Sequence, residues 1–80
     1  MTFNWSDDAR RDLRAIPRLE ALLILRKLAA WRESGRGDVK KLRGFPDLYR
    51  LRVGKWRVIF DQKDPADVYI HGIDNRGEAY

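Results

Sequence analysis

The sequence has no cysteine and only one histidine among its 80 residues. Without cysteine, neither a disulfide framework nor a thiolate metal site can stabilise so short a chain. A single histidine excludes a metal site built from several histidines and catalysis by a histidine pair, so we expect no metal and no cofactor. No apolar run approaches the ~20 residues of a membrane span, and no charged leader precedes an apolar stretch at the N-terminus. A cytoplasmic protein with no membrane partner is the expectation.

The rest of the composition describes a small domain. Hydrophobic residues make up 44% of the chain, and three tryptophans, three tyrosines and three phenylalanines supply enough large side chains for one modest core. No internal repeat, low-complexity tract or interdomain linker interrupts the sequence. We therefore expect residues 1–80 to form a single domain.

Positive charge is concentrated in one stretch of a chain whose formal net charge is +5. Between residues 36 and 57, only two aspartates offset eight basic side chains: Arg36, Lys40, Lys41, Arg43, Arg50, Arg52, Lys55 and Arg57. A basic block on an otherwise nearly neutral domain indicates a polyanionic partner, and nucleic acid is the leading candidate. The alternative is a basic surface whose charges are simply solvated.

Two helices are predicted in the first half of the chain. Residues 3–5 alternate apolar and polar side chains and predict a short strand, after which Ser6 can cap a helix. Pro17 then opens a second helix, because proline is tolerated in a first turn. This helix carries an apolar stripe of Ala21, Ile24, Leu25, Leu28 and Trp31, widened by Leu19, Leu22 and Leu23. The stripe predicts a core-facing helix that stops at the glycines of residues 35–37.

Three strands are predicted in the second half, at residues 48–53, 56–62 and 67–73, after a connection over residues 38–47. Gly54 stands at the first central position of a two-residue turn, which is typical of a type II′ hairpin. The turn pairs Val53 with Trp56, Leu51 with Val58, and Tyr49 with Phe60. All six side chains are apolar or aromatic, so this face of the hairpin should pack on the helices, and a slip by one residue would expose it.

The opposite face of the hairpin carries a like-charge pair. The same register sets Arg52 opposite Arg57 and Arg50 opposite Ile59, so three guanidinium groups project from the face turned away from the helices. Like charges that face each other across two strands oppose folding. With no acidic partner on adjacent positions, we interpret the cluster as an anion site whose ligand relieves the repulsion. An ordinary polar outer face is the alternative.

The last strand and the tail contain three further candidates. His71 falls in phase with Tyr69 and Ile73, and we expect a structural, hydrogen-bonded histidine rather than a base. Arg76 and Tyr80 follow the strand, and a short tail could bring both side chains back over the sheet. Both are therefore candidates for the same site as the hairpin arginines.

The order of a strand, a helix hairpin and three antiparallel strands resembles the RelE/ParE superfamily of toxins from bacterial type II toxin–antitoxin systems. The segments that carry the resemblance are KLRG at residues 41–44, DLYRLR at 47–52, WRVIF at 56–60 and RGEAY at 76–80. It implies an α+β fold in the order β-α-α-β-β-β. In this fold the short first strand and the two-helix hairpin pack on one face of a twisted antiparallel sheet.

The resemblance also implies an activity. In RelE-like members the other face of the sheet binds messenger RNA in the ribosomal A site. A ribose 2′-hydroxyl attacks the adjacent phosphate and leaves a 2′,3′-cyclic phosphate and a 5′-hydroxyl. The catalytic set that follows here is Arg52, Arg57, Arg76 and Tyr80, with Arg57 and Arg76 as the phosphate clamp. The residues assigned to RNA or phosphate binding are Lys40, Lys41, Arg43, Arg50 and Lys55. Guanidinium groups suit the charge that develops on a phosphorane, because they bind bidentately and stay protonated.

The group that accepts the proton is left open by these residues. Arg50 and Arg52 stand where some relatives carry lysine, and arginine almost never deprotonates. Asn75 stands where many relatives have a histidine. Tyr80 could stack on a base or transfer a proton, and for the second role nearby arginines would have to lower its pKa from about 10.

Two other functions are compatible with the same residues. The ParE branch of the superfamily inhibits DNA gyrase and cleaves no RNA, and an RNA-binding module without catalysis is a third alternative. The basic sheet face and the Arg76–Tyr80 pair favour the ribonuclease. The resemblance also implies a cognate antitoxin, whose flexible acidic segment would cover the basic face or displace the tail.

Overall fold

The computed structural model describes residues 1–75, apart from the side chain of Lys63. The elements are β1 (Thr2–Trp5), α1 (Asp7–Ala15), α2 (Arg18–Ser34), β2 (Asp38–Lys41), β3 (Leu48–Val53), β4 (Trp56–Asp64) and β5 (Asp67–Asp74). The strands form one sheet in the order β1-β5-β4-β3-β2. β1 runs parallel to β5, and the other neighbours are antiparallel. The predicted α+β class is confirmed, and none of the helices in residues 1–75 could cross a membrane.

The strand β2 corrects the predicted connection over residues 38–47. Residues 38–41 pair with β3 at the edge of the sheet, with Val39 opposite Leu51 and packed against the core. The stretch Asp-Val-Lys-Lys has one apolar residue in four, so it carries too little alternation to predict a strand. The remaining residues of the predicted connection, 42–47, lie between β2 and β3.

The start of α1 is tied to the last strand through one side chain. Ser6 caps α1, where its Oγ accepts a hydrogen bond from the Ala9 N–H at 3.0 Å. The same hydroxyl donates to the His71 carbonyl oxygen at 2.8 Å, beyond the point where β1 stops pairing with β5. In the same region, an Asp12 carboxylate oxygen accepts from the Ile73 N–H at 2.9 Å. Helix α1 therefore satisfies backbone groups at the edge of β5 that β1 leaves uncovered.

We predict that Ser6→Ala lowers the free energy of unfolding by about 1–2 kcal/mol, since it removes both a helix cap and a bond between elements. Ser34→Ala is the matched control, because Ser34 Oγ makes only local contacts at the exposed end of α2: it donates to the Ala30 carbonyl oxygen at 2.7 Å and accepts from the Arg36 N–H at 3.4 Å. The control should change stability by less than about 0.5 kcal/mol. Urea unfolding followed by circular dichroism measures both, and equal losses would contradict the bridging role of Ser6.

The core lies between the helix pair and one face of the sheet. Phe60 is fully buried at its centre, with ring centroids 4.8 Å from Trp31 and 5.5 Å from Tyr49. At the edge of the core, the Trp56 indole N–H donates to a Glu20 carboxylate oxygen at 3.1 Å and ties the hairpin to α2. The hairpin face predicted to pack on the helices is the face that does so.

The apolar stripe of α2 is wider than the surface that buries it. Ile24 and Leu28 are fully buried, and Ala21 and Trp31 pack partly against the core. The other four predicted core positions remain exposed, at 39% or more: Leu19, Leu22, Leu23 and Leu25. A helix on one side of a single sheet buries only the stripe that contacts the sheet, so the prediction for these four leucines is wrong.

The β3–β4 hairpin has the predicted register. Val53 lies opposite Trp56 and Arg52 opposite Arg57, and the pairing continues to Leu48 and Asp61. Gly54 has φ of 59°, and no described non-glycine residue has positive φ, so Lys55 takes the negative φ that a type II′ turn requires. The face assignment of the three arginines follows from this register.

A β-bulge in β5 changes the side-chain phase of the last strand. Two consecutive residues of β4 pair with Gly72 and Ile70, so His71 is an extra residue with no partner in the ladder. Ile70 and Ile73 are both buried on the core side, whereas the His71 side chain is 43% exposed. The prediction that His71 and Ile73 share a face is therefore wrong, because the bulge reverses the alternation between them.

Candidate nucleic-acid interface

The outer face of β2, β3 and β4, together with loop 42–47, forms a concavity of about 750 Å³. Two acidic side chains and four apolar ones contribute to its lining. Six lining side chains are basic: Lys40, Lys41, Arg43, Arg50, Arg52 and Arg57. The structure thus brings together six of the residues that the sequence assigns to phosphate binding or catalysis. The excess of positive charge suits a polyanion.

Arg57 forms the best-defined contact in this concavity. Its Nε donates to one carboxylate oxygen of Asp74 at 2.9 Å, and its Nη2 donates to the other at 3.1 Å. Arg57 is only 5% exposed, while the Asp74 side chain is 32% exposed. The bidentate pair fixes both the plane and the position of the guanidinium group.

Arg50 is held in a similar way by the edge strand. Its Nη1 donates to the Asp38 carbonyl oxygen at 2.8 Å and to a carboxylate oxygen of the same residue at 3.1 Å. Arg50 is 9% exposed, so most of its side chain lies under the surface of the concavity. The strand β2, which the sequence did not predict, therefore supplies the partner of a predicted site residue.

The like-charge pair Arg52–Arg57 is flanked by acidic residues on both sides. In the sheet register, Asp74 lies opposite Arg57, Arg57 opposite Arg52, and Arg52 opposite Asp38. In the row across four strands, two outer aspartates therefore flank two adjacent inner arginines. The interpretation that this pair has no acidic partner is wrong, and its repulsion is relieved within the fold rather than by a ligand.

Loop 42–47 forms one wall of the concavity and is braced by backbone hydrogen bonds. The Leu42 N–H donates to the Leu48 carbonyl oxygen at 2.8 Å, and the Phe45 and Leu48 N–H groups donate to carbonyls of the loop at 3.3 Å. Phe45 is 56% exposed and lines the concavity beside Arg43. An exposed ring next to basic side chains is the arrangement that single-stranded nucleic acid binds by stacking.

The structure does not place three of the predicted site residues in the concavity: one lies outside it, and two are not among the described residues. Lys55 is in the hairpin turn and does not line the concavity; its ammonium group lies 5.2 Å from the centroid of the Trp56 ring. Arg76 and Tyr80 lie outside the described residues. The roles assigned to all three stay predictions.

The site also contains residues that the sequence did not indicate. Asp38 and Asp74 hold Arg50 and Arg57, and Leu48 and Ile59 form part of an apolar floor. Val39 is the one apolar residue in the stretch that holds Asp38, which is too weak a pattern to predict the edge strand next to β3. Asp74 lies opposite Arg57 in the register set by the Asp64–Asp67 pair, because the two irregularities of the β4–β5 ladder cancel, and it falls one residue beyond the predicted strand 67–73.

Comparison with known proteins agrees with this fold. The model of the ParE toxin family of type II toxin–antitoxin systems, parDE, matches residues 3–80. The RelB–RelE antitoxin–toxin complex of Methanococcus jannaschii contains a chain that is 20% identical, with a TM-score of 0.76 and coverage of 96% of this chain and 94% of that one. No curated protein matches the chain.

Two further solved structures are similar over nearly the same span. A chain of the RelE–RelB complex of Pyrococcus horikoshii is 26% identical, with a TM-score of 0.72 and coverage of 94% of this chain and 93% of that one. A chain of the RelBE2 complex of Mycobacterium tuberculosis is 25% identical, with a TM-score of 0.74 and coverage of 94% of this chain and 96% of that one. Since the family model spans almost the entire sequence, the chain belongs to the ParE toxin family of type II toxin–antitoxin systems, within the RelE/ParE superfamily.

Proposed function

We propose that this toxin is a ribosome-dependent endoribonuclease that cleaves messenger RNA in the ribosomal A site and so inhibits translation. The observation that supports the proposal is the concave outer face, which is lined by six basic side chains and only two acidic ones. Backbone phosphates supply the charge that such a surface binds, and the scissile phosphate gains negative charge as the reaction proceeds.

The reaction needs phosphate stabilisation more than a cofactor. The 2′-oxygen of one ribose forms a bond to the adjacent phosphorus while the bond from phosphorus to the 5′-oxygen of the next nucleotide breaks. The 2′-hydroxyl proton passes to an acceptor, and the leaving 5′-oxygen gains a proton. Arg57, fixed by Asp74, and Arg52 beside it would stabilise the charge on the phosphorane. Arg76 and Tyr80 belong to the proposed catalytic set through the family resemblance.

Preorganisation is the physical advantage of the paired arginines. A guanidinium group already held by a carboxylate loses little side-chain entropy when it meets a phosphate. The acidic partners Asp38 and Asp74 also reduce the net positive charge of the site, which weakens its long-range attraction to RNA. Arg50 and Arg57 would therefore serve mainly to position a bound phosphate. The exposed Lys40, Lys41 and Arg43 would supply the attraction to RNA.

We predict that Lys40→Ala weakens the salt dependence of RNA binding. The loss of one phosphate contact should reduce the slope of log K against log salt concentration by about 0.7 for a single strand. Lys55→Ala removes the same charge from outside the concavity and should change the slope less. Fluorescence anisotropy with a labelled 2′-O-methyl RNA, from 50 to 300 mM salt, compares the two. A larger effect at Lys55 would place the RNA on another surface.

A second candidate function is inhibition of DNA gyrase, because the matching family model is that of ParE toxins. One experiment separates the two candidates. The toxin is incubated in parallel with ribosomes programmed with a reporter mRNA and with gyrase and supercoiled plasmid. Cleavage within the A-site codon with intact gyrase activity supports the ribonuclease, whereas gyrase-dependent DNA breaks with intact RNA support the ParE activity. RNA binding with neither effect would leave a non-catalytic RNA-binding module.

We also infer a cognate antitoxin as the partner of this toxin. The similar structures from Methanococcus jannaschii and Pyrococcus horikoshii are complexes of RelE with RelB. An acidic antitoxin segment would be attracted by the same basic concavity that we assign to RNA. Competition between the purified antitoxin and labelled RNA for the toxin tests this assignment, and simultaneous binding would contradict it.

A further inference from the structure

We propose that Tyr69, His71 and Asp61 form a nucleobase-binding subsite on the outer face of the sheet, next to the basic concavity. The proposal rests on RNA being the substrate, as proposed above. It assigns a role to the one histidine of the chain, which the concavity does not contain. The ligand is an unpaired base of an RNA strand whose phosphates contact the arginines.

The two rings of this subsite are exposed and packed together. The Tyr69 and His71 ring centroids are 4.8 Å apart in an edge-to-face arrangement with an interplanar angle of 77°. Tyr69 is 44% exposed, and the His71 side chain is 43% exposed. Ordinary strand alternation places Tyr69 and His71 on the same face, and His71 is also the extra residue of the β5 bulge, an irregularity that is common beside functional sites.

The subsite is continuous with the concavity. Tyr69 lies opposite Asp61, and Asp61 lies opposite Leu48, which lines the concavity. Along β4, Asp61 is four residues from Arg57, which corresponds to about 13 Å of extended strand. An RNA strand with one phosphate at Arg57 could therefore place a base at Tyr69 within a few nucleotides.

The chemistry of the three side chains suits a base better than a phosphate. A tyrosine ring on a sheet surface offers a stacking face, as in other proteins that bind single-stranded nucleic acid. The Asp61 carboxylate, 22% exposed and 4.0 Å from the imidazole Nε2 of His71, would repel a phosphate but can accept a hydrogen bond from a base N–H. Stacking with a nearby acceptor favours a base that carries an exocyclic amino group.

The test uses the full chain and a short 2′-O-methyl RNA, which cannot be cleaved by attack of a 2′-hydroxyl. Tyr69→Ala should weaken binding by about 5- to 100-fold, the range expected for the loss of one stacked base. Tyr69→Phe keeps the ring and should bind nearly as well as the wild type. Leu23→Ala is the matched control, because Leu23 is also 44% exposed but lies on α2, on the other side of the sheet.

A set of RNAs with one abasic position each makes the test specific. In the wild type, one abasic position should reduce affinity by the same factor as Tyr69→Ala, and Tyr69→Ala should be insensitive to that position. Two results would overturn the subsite without affecting RNA binding by the wild type. One is an unchanged affinity of Tyr69→Ala for the RNA; the other is that the wild type and Tyr69→Ala respond equally to every abasic position. If the wild type shows the Tyr69-dependent profile but cleaves no ribosome-bound mRNA, only the proposed enzymatic activity fails. No RNA binding by the wild type overturns both.

Discussion

Replacing Arg57 with alanine is expected to lower the rate of mRNA cleavage by about 10²–10³-fold, the usual cost of removing one preorganised group that stabilises transition-state charge. Arg57 is nearly buried, lines the concavity and is held by both carboxylate oxygens of Asp74. A flexible basic side chain at the surface would not replace a guanidinium group that is held in one position. Single-turnover cleavage on programmed ribosomes measures the loss, and Arg26→Ala on the exposed face of α2 controls for the removal of one positive charge.

The same substitution also costs stability, so the two effects must be separated. Without this partner, Asp74 would keep a partly buried charge, which should lower the free energy of unfolding by about 2–3 kcal/mol. The cost is smaller than for a fully buried pair because the Asp74 side chain is 32% exposed. The double variant Arg57→Ala/Asp74→Asn removes that charge and should regain much of the stability without regaining cleavage. Cleavage at the wild-type rate in the double variant would show that Arg57 serves the fold alone.

Phe60→Ala is expected to remove a large part of the folding free energy. Phe60 has no exposed surface and contacts the Trp31 and Tyr49 rings. Its truncation leaves a large cavity and should lower the free energy of unfolding by about 3–5 kcal/mol. A chain of 80 residues has a total stability of only about 4–12 kcal/mol. The variant should therefore unfold at much lower urea concentration, or be unfolded without urea.

Phe45→Ala is the control, since the same atoms are removed from a residue that is 56% exposed in loop 42–47. It should leave the urea midpoint within the range of ordinary surface substitutions, about 0.5 kcal/mol. Circular dichroism and tryptophan fluorescence follow both variants. A midpoint for Phe60→Ala near that of the wild type would contradict the placement of this ring at the centre of the core.

The sequence predicted the hairpin fully because its information is local. A glycine at the turn and six apolar residues in alternation leave one register that buries them, and the structure has that register. The number of buried residues predicted for the apolar stripe of α2 is too large, because burial of a helix depends on non-local packing. Periodicity shows which residues could be buried, but the width of the buried surface depends on the sheet that the helix meets.

The acidic partners of the arginines were missed because both come from outside the β3–β4 hairpin. Asp38 reaches Arg50 only through β2, a strand with one apolar residue. Asp74 faces Arg57 in the register that the Asp64–Asp67 pair sets, since the two irregularities of the β4–β5 ladder cancel, but it lies one residue beyond the predicted strand 67–73. The bulge in β5 separates His71 from the phase of Ile73 that alternation predicts. Bulges leave little trace in a single sequence, since any residue can occupy the extra position.

The acidic partners change the interpretation of the like-charge pair Arg52–Arg57. Repulsion between Arg52 and Arg57 is not a sign of a missing ligand, because Asp38 and Asp74 flank the pair in the sheet register. The ion pair of Arg57 makes a rigid group at the floor of a basic concavity. We therefore expect the shape and the surplus positive charge of the whole surface to attract RNA, rather than unrelieved repulsion between two arginines.

Removal of the ribose 2′-hydroxyl tests whether this surface promotes attack of that hydroxyl on the adjacent phosphate. Ribosomes are programmed with two mRNAs that differ only by a 2′-deoxy nucleotide 5′ to the scissile bond in the A-site codon. The toxin should cleave the all-ribose mRNA, leaving a 2′,3′-cyclic phosphate and a 5′-hydroxyl, and should leave the 2′-deoxy mRNA intact at that bond. Equal cleavage of both mRNAs at that bond, or a 5′-phosphate on the product, would contradict the mechanism.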